Sequence, residues 1–241
     1  MQAAIGVAIA LLAASGLNWT YQVVRKPSEL LFPVSGTLNR TPEETWQVYA
    51  PLFRRHATHV ISADLLAAIA QVEGSGNPLA RTYWRWSWSS RPFEVYRPAS
   101  SAVGMYQMTD GTFAEARRYC IHDHRVVQDG PWNSWHSCWF NALYTRLVPT
   151  HAVELTAAYL DLSVAAIVAR QGGAPLARQQ TLAELIHLCG AGAGEAYARR
   201  GYRLLDGQRC GDHAARDYLG RVEAMRALFL RLGAGLGPNA R

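Results

Sequence analysis

The segment that most constrains the fold is an apolar run that ends abruptly. Residues 63–73 read ADLLAAIAQVE and are followed at once by GSGNP. An apolar run of this length predicts a buried helix, and the Ser62 that precedes it is a favourable N-cap. Gly74 and Gly76 predict where the helix ends. Glu73 is therefore expected at the C-terminus of a buried helix beside a loop, a position suited to a general acid.

The remaining pattern indicates a mainly α domain. The capping sequence TPEE (41–44) starts a helix that Pro51 is expected to bend or divide. From Ser134 onward the pattern is helical almost throughout, and GAGAG (190–194) is expected to interrupt it. Residues 81–99 alternate aromatic and polar residues, which predicts a β-hairpin or an irregular flap. The expected fold class is mainly α, with one small irregular or β insertion.

Three segments are expected along the chain. Residues 1–16 are a signal peptide or a membrane anchor, residues 17–40 a linker or N-terminal arm, and residues 41–241 the main domain. The first segment contains AAIGVAIALLAA, which has the length of a signal h-region and is followed by small residues that offer a cleavage site. No Lys or Arg precedes this run, so an uncleaved membrane anchor is the alternative. Either interpretation predicts a periplasmic or cell-envelope protein.

The charge is mildly basic and is carried almost entirely by arginine. The formal net charge is +6, and Lys26 is the only lysine. No run of five like charges occurs, so the basic arm of many nucleic-acid-binding proteins is missing, and no nucleic-acid partner is expected. A basic exported protein suits an anionic polymer such as cell-wall glycan, or an anionic membrane surface. The alternative is a solvated, arginine-rich surface without a specific partner.

The four cysteines fall into two local pairs. Cys120 with Cys138 and Cys189 with Cys210 would each close a loop of about 20 residues, worth about 3 kcal/mol in the chain-entropy model. An even count behind an export signal favours two disulfides. The alternative is a zinc site, because three histidines lie near the first pair: His122, His124 and His136.

Four segments of the chain together resemble the lytic transglycosylases with a soluble lytic transglycosylase domain, which are related to goose-type lysozymes. LLAAIAQVEGSGNPLA (65–80) looks like the first motif, a helix that ends in the catalytic Glu. SSAVGMYQMTDGTF (100–113) is similar to the second, LCGAGAG (188–194) lies where the third is expected, and RDYLGRV (216–222) is similar to the fourth. The resemblance runs from about Gln47 to Leu232 and implies a lysozyme-like α+β domain.

The resemblance also implies roles for individual residues. Glu73 would be the catalytic residue, first acid and then base. The residues implied to bind the glycan are Ser101, Gly104, Met105, Tyr106, Gln107 and Tyr218. Met105 and Tyr106, together with Met108, are as well explained as core residues, because Met and aromatic side chains at such spacing commonly pack inside.

This sequence departs from the family pattern in two places. The third-motif tyrosine that contacts the acid is absent, so His187 or Tyr218 would have to orient Glu73 instead. A tryptophan-rich insertion separates the first two motifs, and its indole rings are either platforms for sugar rings or a flap buried on the domain. These indoles belong to Trp84, Trp86 and Trp88.

The activity implied by the resemblance is non-hydrolytic cleavage of the β-1,4 bond between N-acetylmuramic acid and N-acetylglucosamine, which leaves 1,6-anhydro ends. The partner would be the glycan strand of peptidoglycan, and no cofactor or metal is expected. The alternatives are a muramidase hydrolase of the same fold, which would more often use a second carboxylate such as Asp110 or Glu94, and a non-catalytic glycan-binding protein of the envelope. An antibacterial toxin or a component of an envelope machine could use the same chemistry.

Overall fold

The described part of the chain is mainly helical, with 62% of its residues in helices and 9% in strands. The computed structural model describes residues 1–88, 90–128, 134 and 137–235. The α-helices are α1 (Gln2–Arg25), α2 (Phe32–Ser35), α3 (Pro42–His56), α4 (Ala63–Gly74), α5 (Asp110–Ala116), α6 (Pro149–Arg170), α7 (Leu176–Cys189), α8 (Ala191–Arg199) and α9 (Ala215–Gly233). The strands form three antiparallel pairs: β1 (Trp84–Trp86) with β2 (Tyr96–Pro98), β3 (Tyr119–His122) with β4 (Arg125–Gln128), and β5 (Arg209–Cys210) with β6 (His213–Ala214).

Helix α4 is the centre of the core. Six consecutive side chains from Leu65 to Ala70 are completely buried, which is why this segment is apolar on every side rather than on one stripe. Helices α3 and α9 pack directly against α4. Helices α6 and α7 contribute further buried side chains to the same cluster. The buried helix predicted from residues 63–73 is therefore confirmed.

Local capping explains where the first core helices begin and end. Thr41 and Glu44 form a reciprocal capping box: Thr41 Oγ1 accepts from the Glu44 amide, and the Glu44 carboxylate accepts from the Thr41 amide at 2.8 Å. Helix α3 continues through Pro51 as one element. Ser62 occupies the N-cap position of α4, although its side chain makes no capping bond. Helix α4 ends as predicted, at Gly74.

Two segments differ from their expected form. Residues 17–25, expected to begin a linker or N-terminal arm, are helical and continue α1. After Ser134, where helix is predicted almost throughout, the described residues form only a short 3₁₀ helix at Trp139–Leu143 before the long helix begins at Pro149. Here Cys138 is tied to β3, and the Asn141 side chain donates to the backbone carbonyl of Tyr119, which holds the segment against the hairpin.

The glycine-rich segment 190–194 was expected to interrupt the helices, and only its first residue does so. Gly190 has a φ of +82° and separates α7 from α8. Helix α8 then begins at Ala191 and includes Gly192 and Gly194. A side chain at Gly194 would meet Ile186 at 2.5 Å, so the small residues let α8 approach α7 closely.

Both predicted disulfides are present. Cys120–Cys138 fastens the 3₁₀ turn to β3, and Cys189–Cys210 fastens the end of α7 to β5. The Cα atoms of the two pairs lie 5.4 and 5.2 Å apart, which is ordinary disulfide geometry. The cysteines are thus not thiolate ligands, and within the described ranges no group of three acidic, histidine or cysteine side chains could hold a metal ion. His136, which the zinc alternative also invoked, lies outside the described residues.

Among the residues that the structure describes, two helices are long and apolar enough to cross a membrane. One of them, α6, is more than half buried inside the protein and is a core helix. The other, α1, has no part of its apolar window buried, and it lies at the N-terminus, where a signal peptide or an anchor was expected. The exposed helix and the two disulfides are compatible with an exported protein.

Candidate active site

Glu73 lies on the last turn of α4, where the buried helix reaches the surface. Its side chain is 18% exposed, so the carboxyl is largely shielded but still accessible. The backbone reverses immediately after the helix, because Ser75 adopts a left-handed conformation with φ +51° and Gly76 follows with φ +61°. Thr45 of α3 packs so tightly on Gly76 that a Cβ there would lie 2.1 Å from the threonine hydroxyl. The end of α4 is therefore held in one conformation.

The second motif forms a tight loop that presses on this helix end. Val103 and Met108 exchange backbone hydrogen bonds of 3.3 and 3.1 Å across the loop, and the Gly104 amide donates to Ala80 at 2.7 Å. A Cβ on Gly74 would lie only 2.9 Å from the Cα of Met105. This close approach fixes the loop relative to the residue next to Glu73.

Two residues of this loop have positive φ angles. Gly104 has a φ of +80°, and a Cβ at this position would lie 2.4 Å from the carbonyl oxygen of Arg146. Gln107 has a φ of +44°, and its side-chain amide donates to the Gly104 carbonyl at 2.9 Å. A non-glycine residue in this conformation is strained and has to be held by its surroundings. The loop is therefore rigid, and Gly104 acts through its backbone.

His187 is the residue that α7 brings to Glu73. Its Nε2 atom lies 3.6 Å from Glu73 Oε1, and the imidazole is 11% exposed. The Tyr106 ring packs edge-on against it, with ring centroids 6.4 Å apart. Burial lowers the pKa of His187, although Glu73 and the Tyr106 backbone oppose this shift. The ring is therefore neutral near pH 7, and its distance from Glu73 is a contact rather than a hydrogen bond.

Tyr218 reaches the same carboxyl from α9. The side chain is almost completely buried, and within the described part of the chain its hydroxyl makes no hydrogen bond of good geometry. The pKa of Tyr218 is raised well above its ordinary value, first by burial and then by the nearby Glu73 carboxylate. The phenol is therefore neutral and available as a donor toward Glu73. Three helices, α4, α7 and α9, thus bring together Glu73, His187 and Tyr218.

Glu184 is a buried carboxyl at this site that the sequence analysis did not single out. It lies one helical turn before His187 on α7, is completely buried, and also raises the pKa of Tyr218. Burial, followed by the effect of Glu223, raises the pKa of Glu184 to about 8. Both of its oxygens lack hydrogen-bond partners among the described residues. The sequence signal for it was a charged residue inside the apolar stretch TLAELIHLC.

The residues predicted to bind a glycan separate into three groups. Gln107 lines a cavity of about 200 Å³ together with His187, and Tyr159 connects it to a neighbouring cavity of about 340 Å³. Met105 and Tyr106 differ from the expectation that they line a cleft, because both side chains are buried in the core and are not among the residues that line this cavity. Ser101 also lies elsewhere: it lines a separate cavity, and its hydroxyl accepts from the Asp110 amide.

The tryptophan-rich insertion does not line the cavity at Gln107 and His187. Trp84 and Trp86 line a cavity of about 820 Å³ together with residues of α1, and this cavity shares no lining residue with the one at Gln107 and His187. The larger cavity is therefore distinct from the chemistry at Glu73.

No family model, curated protein or solved structure matches this chain. The functional interpretation therefore depends on the residues and geometry described above.

Proposed function

We propose that this protein is a peptidoglycan lytic transglycosylase that cleaves the β-1,4 bond between N-acetylmuramic acid and N-acetylglucosamine without consuming water. The observation that supports this proposal best is the position of Glu73. A shielded but accessible carboxyl at the end of a buried helix has His187 and Tyr218 beside it and the rigid loop 103–108 next to it. Within the described part of the chain, Glu73 has no lysine or arginine ion-pair partner. Its close neighbours are uncharged, as a carboxyl that both donates and accepts a proton requires.

The proposed chemistry uses Glu73 twice. In the first step its carboxyl gives a proton to the glycosidic oxygen as the C1–O bond breaks, and the substrate's N-acetyl oxygen bonds to C1 from the other face. In the second step the Glu73 carboxylate takes the proton of the sugar's own 6-hydroxyl. That oxygen then bonds to C1 and displaces the N-acetyl oxygen, which gives the 1,6-anhydro ring. The enzyme ends in its starting protonation state.

The other acidic candidates are engaged away from Glu73. Asp110 pairs with Arg146 at 2.6 Å and lines a different cavity, with Ser101. Glu94 is buried and pairs with Arg25 of α1 at 2.6 Å. Glu184 is fully buried and cannot activate a water in the cleft. A hydrolase would more often place a second carboxylate across the scissile bond, so this arrangement favours a mechanism with one carboxylate.

His187 is proposed to orient Glu73 in place of the third-motif tyrosine. Replacing it by phenylalanine keeps the ring packing on Tyr106 but removes the nitrogen beside the carboxyl. We expect kcat on soluble glycan fragments to fall about 10- to 100-fold with a smaller change in KM. A misoriented Glu73 would slow proton transfer to the glycosidic oxygen but leave most substrate contacts in place. His213→Phe, at an exposed histidine, is the matched control. If both variants had the wild-type kcat, His187 would have no part in positioning Glu73.

The product distinguishes the two possible reactions. Intact sacculi are digested with the wild-type protein, and the released fragments are measured by mass spectrometry. A transglycosylase leaves muramic acid ends that are lighter by one water than the reducing ends made by a hydrolase. Anhydro ends are the expected result, and reducing ends alone would identify a muramidase instead.

A further inference from the structure

The N-terminal helix and the tryptophan-rich hairpin form one surface on the outside of the protein. Before Asn18, the large apolar side chains of α1 are more than half exposed at six positions: Ile5, Val7, Ile9, Leu11, Leu12 and Leu17. Beside them, the β1–β2 hairpin exposes large aromatic side chains. Trp86 is 75% exposed and Trp88 is fully exposed, and Trp19 of α1 adds a third partly exposed indole. An apolar and aromatic patch of this extent is not typical of a surface that faces water alone.

Specific hydrogen bonds hold the polar end of α1 on this hairpin. Asn18 Nδ2 donates to the Tyr96 carbonyl at 2.9 Å, and Gln22 Nε2 donates to the Phe93 carbonyl at 2.5 Å. The Tyr21 and Phe93 rings pack with centroids 5.4 Å apart. Residues 18–25 therefore belong to the folded body. Of the apolar residues before them, those from Leu11 onward share a cavity with the hairpin.

Two buried glutamates connect the same surface to the rest of the domain. Glu29 is completely buried and accepts from Trp84 Nε1 at 2.8 Å and from Arg81 at 2.7 Å. Glu94 is almost completely buried and pairs with Arg25. Arg81 also forms a backbone bridge with Val103, at the start of the loop that contacts the helix end carrying Glu73. The surface and the candidate active site are thus parts of one connected body.

The solvent-exposed charges of α1 and the hairpin are positive, and one carboxylate, Asp212, reaches the edge of the hairpin by accepting from the Tyr83 hydroxyl at 2.8 Å. Residues 1–28 contain no Asp or Glu, and Glu94 is the only acidic residue in 81–99. Because Glu94 is buried, the charged side chains that reach solvent from the hairpin are arginines: Arg85, Arg91 and Arg97. Arginines mixed with tryptophans and tyrosines beside an apolar helix match the interface of an anionic bilayer, where aromatic rings lie at headgroup level and cations attract acidic lipids.

The cavity between α1 and the hairpin has a lining that suits lipid. It measures about 820 Å³, and α1 lines it from Leu11 to Trp19 while Trp84, Trp86 and Phe93 line the opposite side. The stretch from Leu11 to Trp19 extends over about 12 Å of helix, so the hairpin lies beside the apolar part of the helix as well as its polar end. Phospholipid acyl chains are apolar, as is most of the lining of this cavity.

We propose that α1 together with residues 83–88 and 93–97, here called the membrane seat, binds to an anionic phospholipid bilayer. Helix α1 enters the hydrocarbon, and the aromatic hairpin lies in the headgroup region of the same leaflet. The seat fixes the height of the Glu73 cleft above the membrane. This proposal does not depend on the chemistry at Glu73, because it rests on exposure, charge and the α1–hairpin contacts alone.

Labels at three single cysteines test the membrane seat in the full chain. All four native cysteines are in disulfides, so Ile9→Cys, Trp88→Cys and Leu205→Cys each add one free thiol for an environment-sensitive fluorophore. The full-length variants are synthesised under oxidising conditions with vesicles of phosphatidylcholine and phosphatidylglycerol. Leu205 is 55% exposed and lies outside the membrane seat, so it reports a surface in water.

We expect labels at positions 9 and 88 to shift to shorter emission wavelengths, and the label at 88 to be quenched by brominated phospholipids roughly threefold more than the label at 205. The label at position 9 should be quenched most strongly by bromine deep in the acyl chain. The label at position 88 should be quenched most strongly by bromine near the headgroup. If the label at 88 matched the label at 205, the hairpin would not contact the bilayer and the proposal would be wrong, even if position 9 were inserted.

Discussion

Glu73→Gln is expected to lower glycan cleavage about 10³-fold, because the amide can neither donate a proton to the leaving oxygen nor remove one from the 6-hydroxyl. Gln has nearly the same volume as Glu, and the carboxyl makes no ion pair with a lysine or arginine in the described structure, so the fold and the binding of sacculi should be retained. The measurements are the release of soluble fragments from sacculi and a co-sedimentation assay with the same sacculi.

The control for this variant is Glu43→Gln, which makes the same chemical change on a different helix, in the first turn of α3. It should cleave at the wild-type rate. Wild-type cleavage by Glu73→Gln would remove Glu73 from the mechanism. Loss of cleavage together with loss of the folded state, read from thermal unfolding, would assign Glu73 a structural role instead.

Glu184→Gln is expected to change how stability depends on pH. Burial raises the pKa of Glu184 in the folded protein to about 8, from an ordinary value of 4.5. Between these values the folded protein binds a proton that the unfolded chain has released, so the free energy of unfolding falls as the pH rises through this window. The stabilisation is complete below pH 4.5 and is lost by about pH 8. At pH 7 the loss is on the order of 3 kcal/mol.

The glutamine variant cannot titrate, so it should lose much less stability between pH 5 and pH 8 than the wild type does. The nearby Arg226 does not neutralise an ionised Glu184, because its guanidinium donates to Asp64 at 2.6 Å and to Gln180 at 2.5 Å. Denaturant unfolding at several pH values measures the difference, with the Glu43→Gln variant as the control that keeps the wild-type slope. Parallel curves for Glu184→Gln and wild type would contradict a buried carboxyl that titrates near pH 8.

Local sequence signals predicted the elements around Glu73 well. The α4 helix ends where Gly74 and Gly76 allow a left-handed turn, and the capping box at Thr41 forms as its sequence indicates. Both disulfides match the pairs predicted from the even number and the local spacing of the cysteines. These features depend on neighbouring residues or on simple pairing, so one sequence is enough to predict them.

Features that depend on tertiary contact were not predictable in the same way. Glu184 is ordinary in sequence and becomes notable only because α7 buries it next to Tyr218. The segment after Ser134 has a helical pattern, but the bond from Asn141 to β3 and the disulfide at Cys138 hold it in a 3₁₀ turn. The direction of the tryptophan-rich hairpin also depends on α1, which the sequence analysis ended at residue 16.

Digestion of sacculi in ¹⁸O-labelled water shows directly whether bond cleavage consumes water. Wild-type protein and Glu73→Gln are compared side by side, with a hydrolytic muramidase as the positive control for label uptake. We predict that the wild type releases anhydro ends that carry no ¹⁸O at C1, and that Glu73→Gln releases almost none. Reducing ends that carry ¹⁸O in the wild-type digest would contradict the proposed reaction.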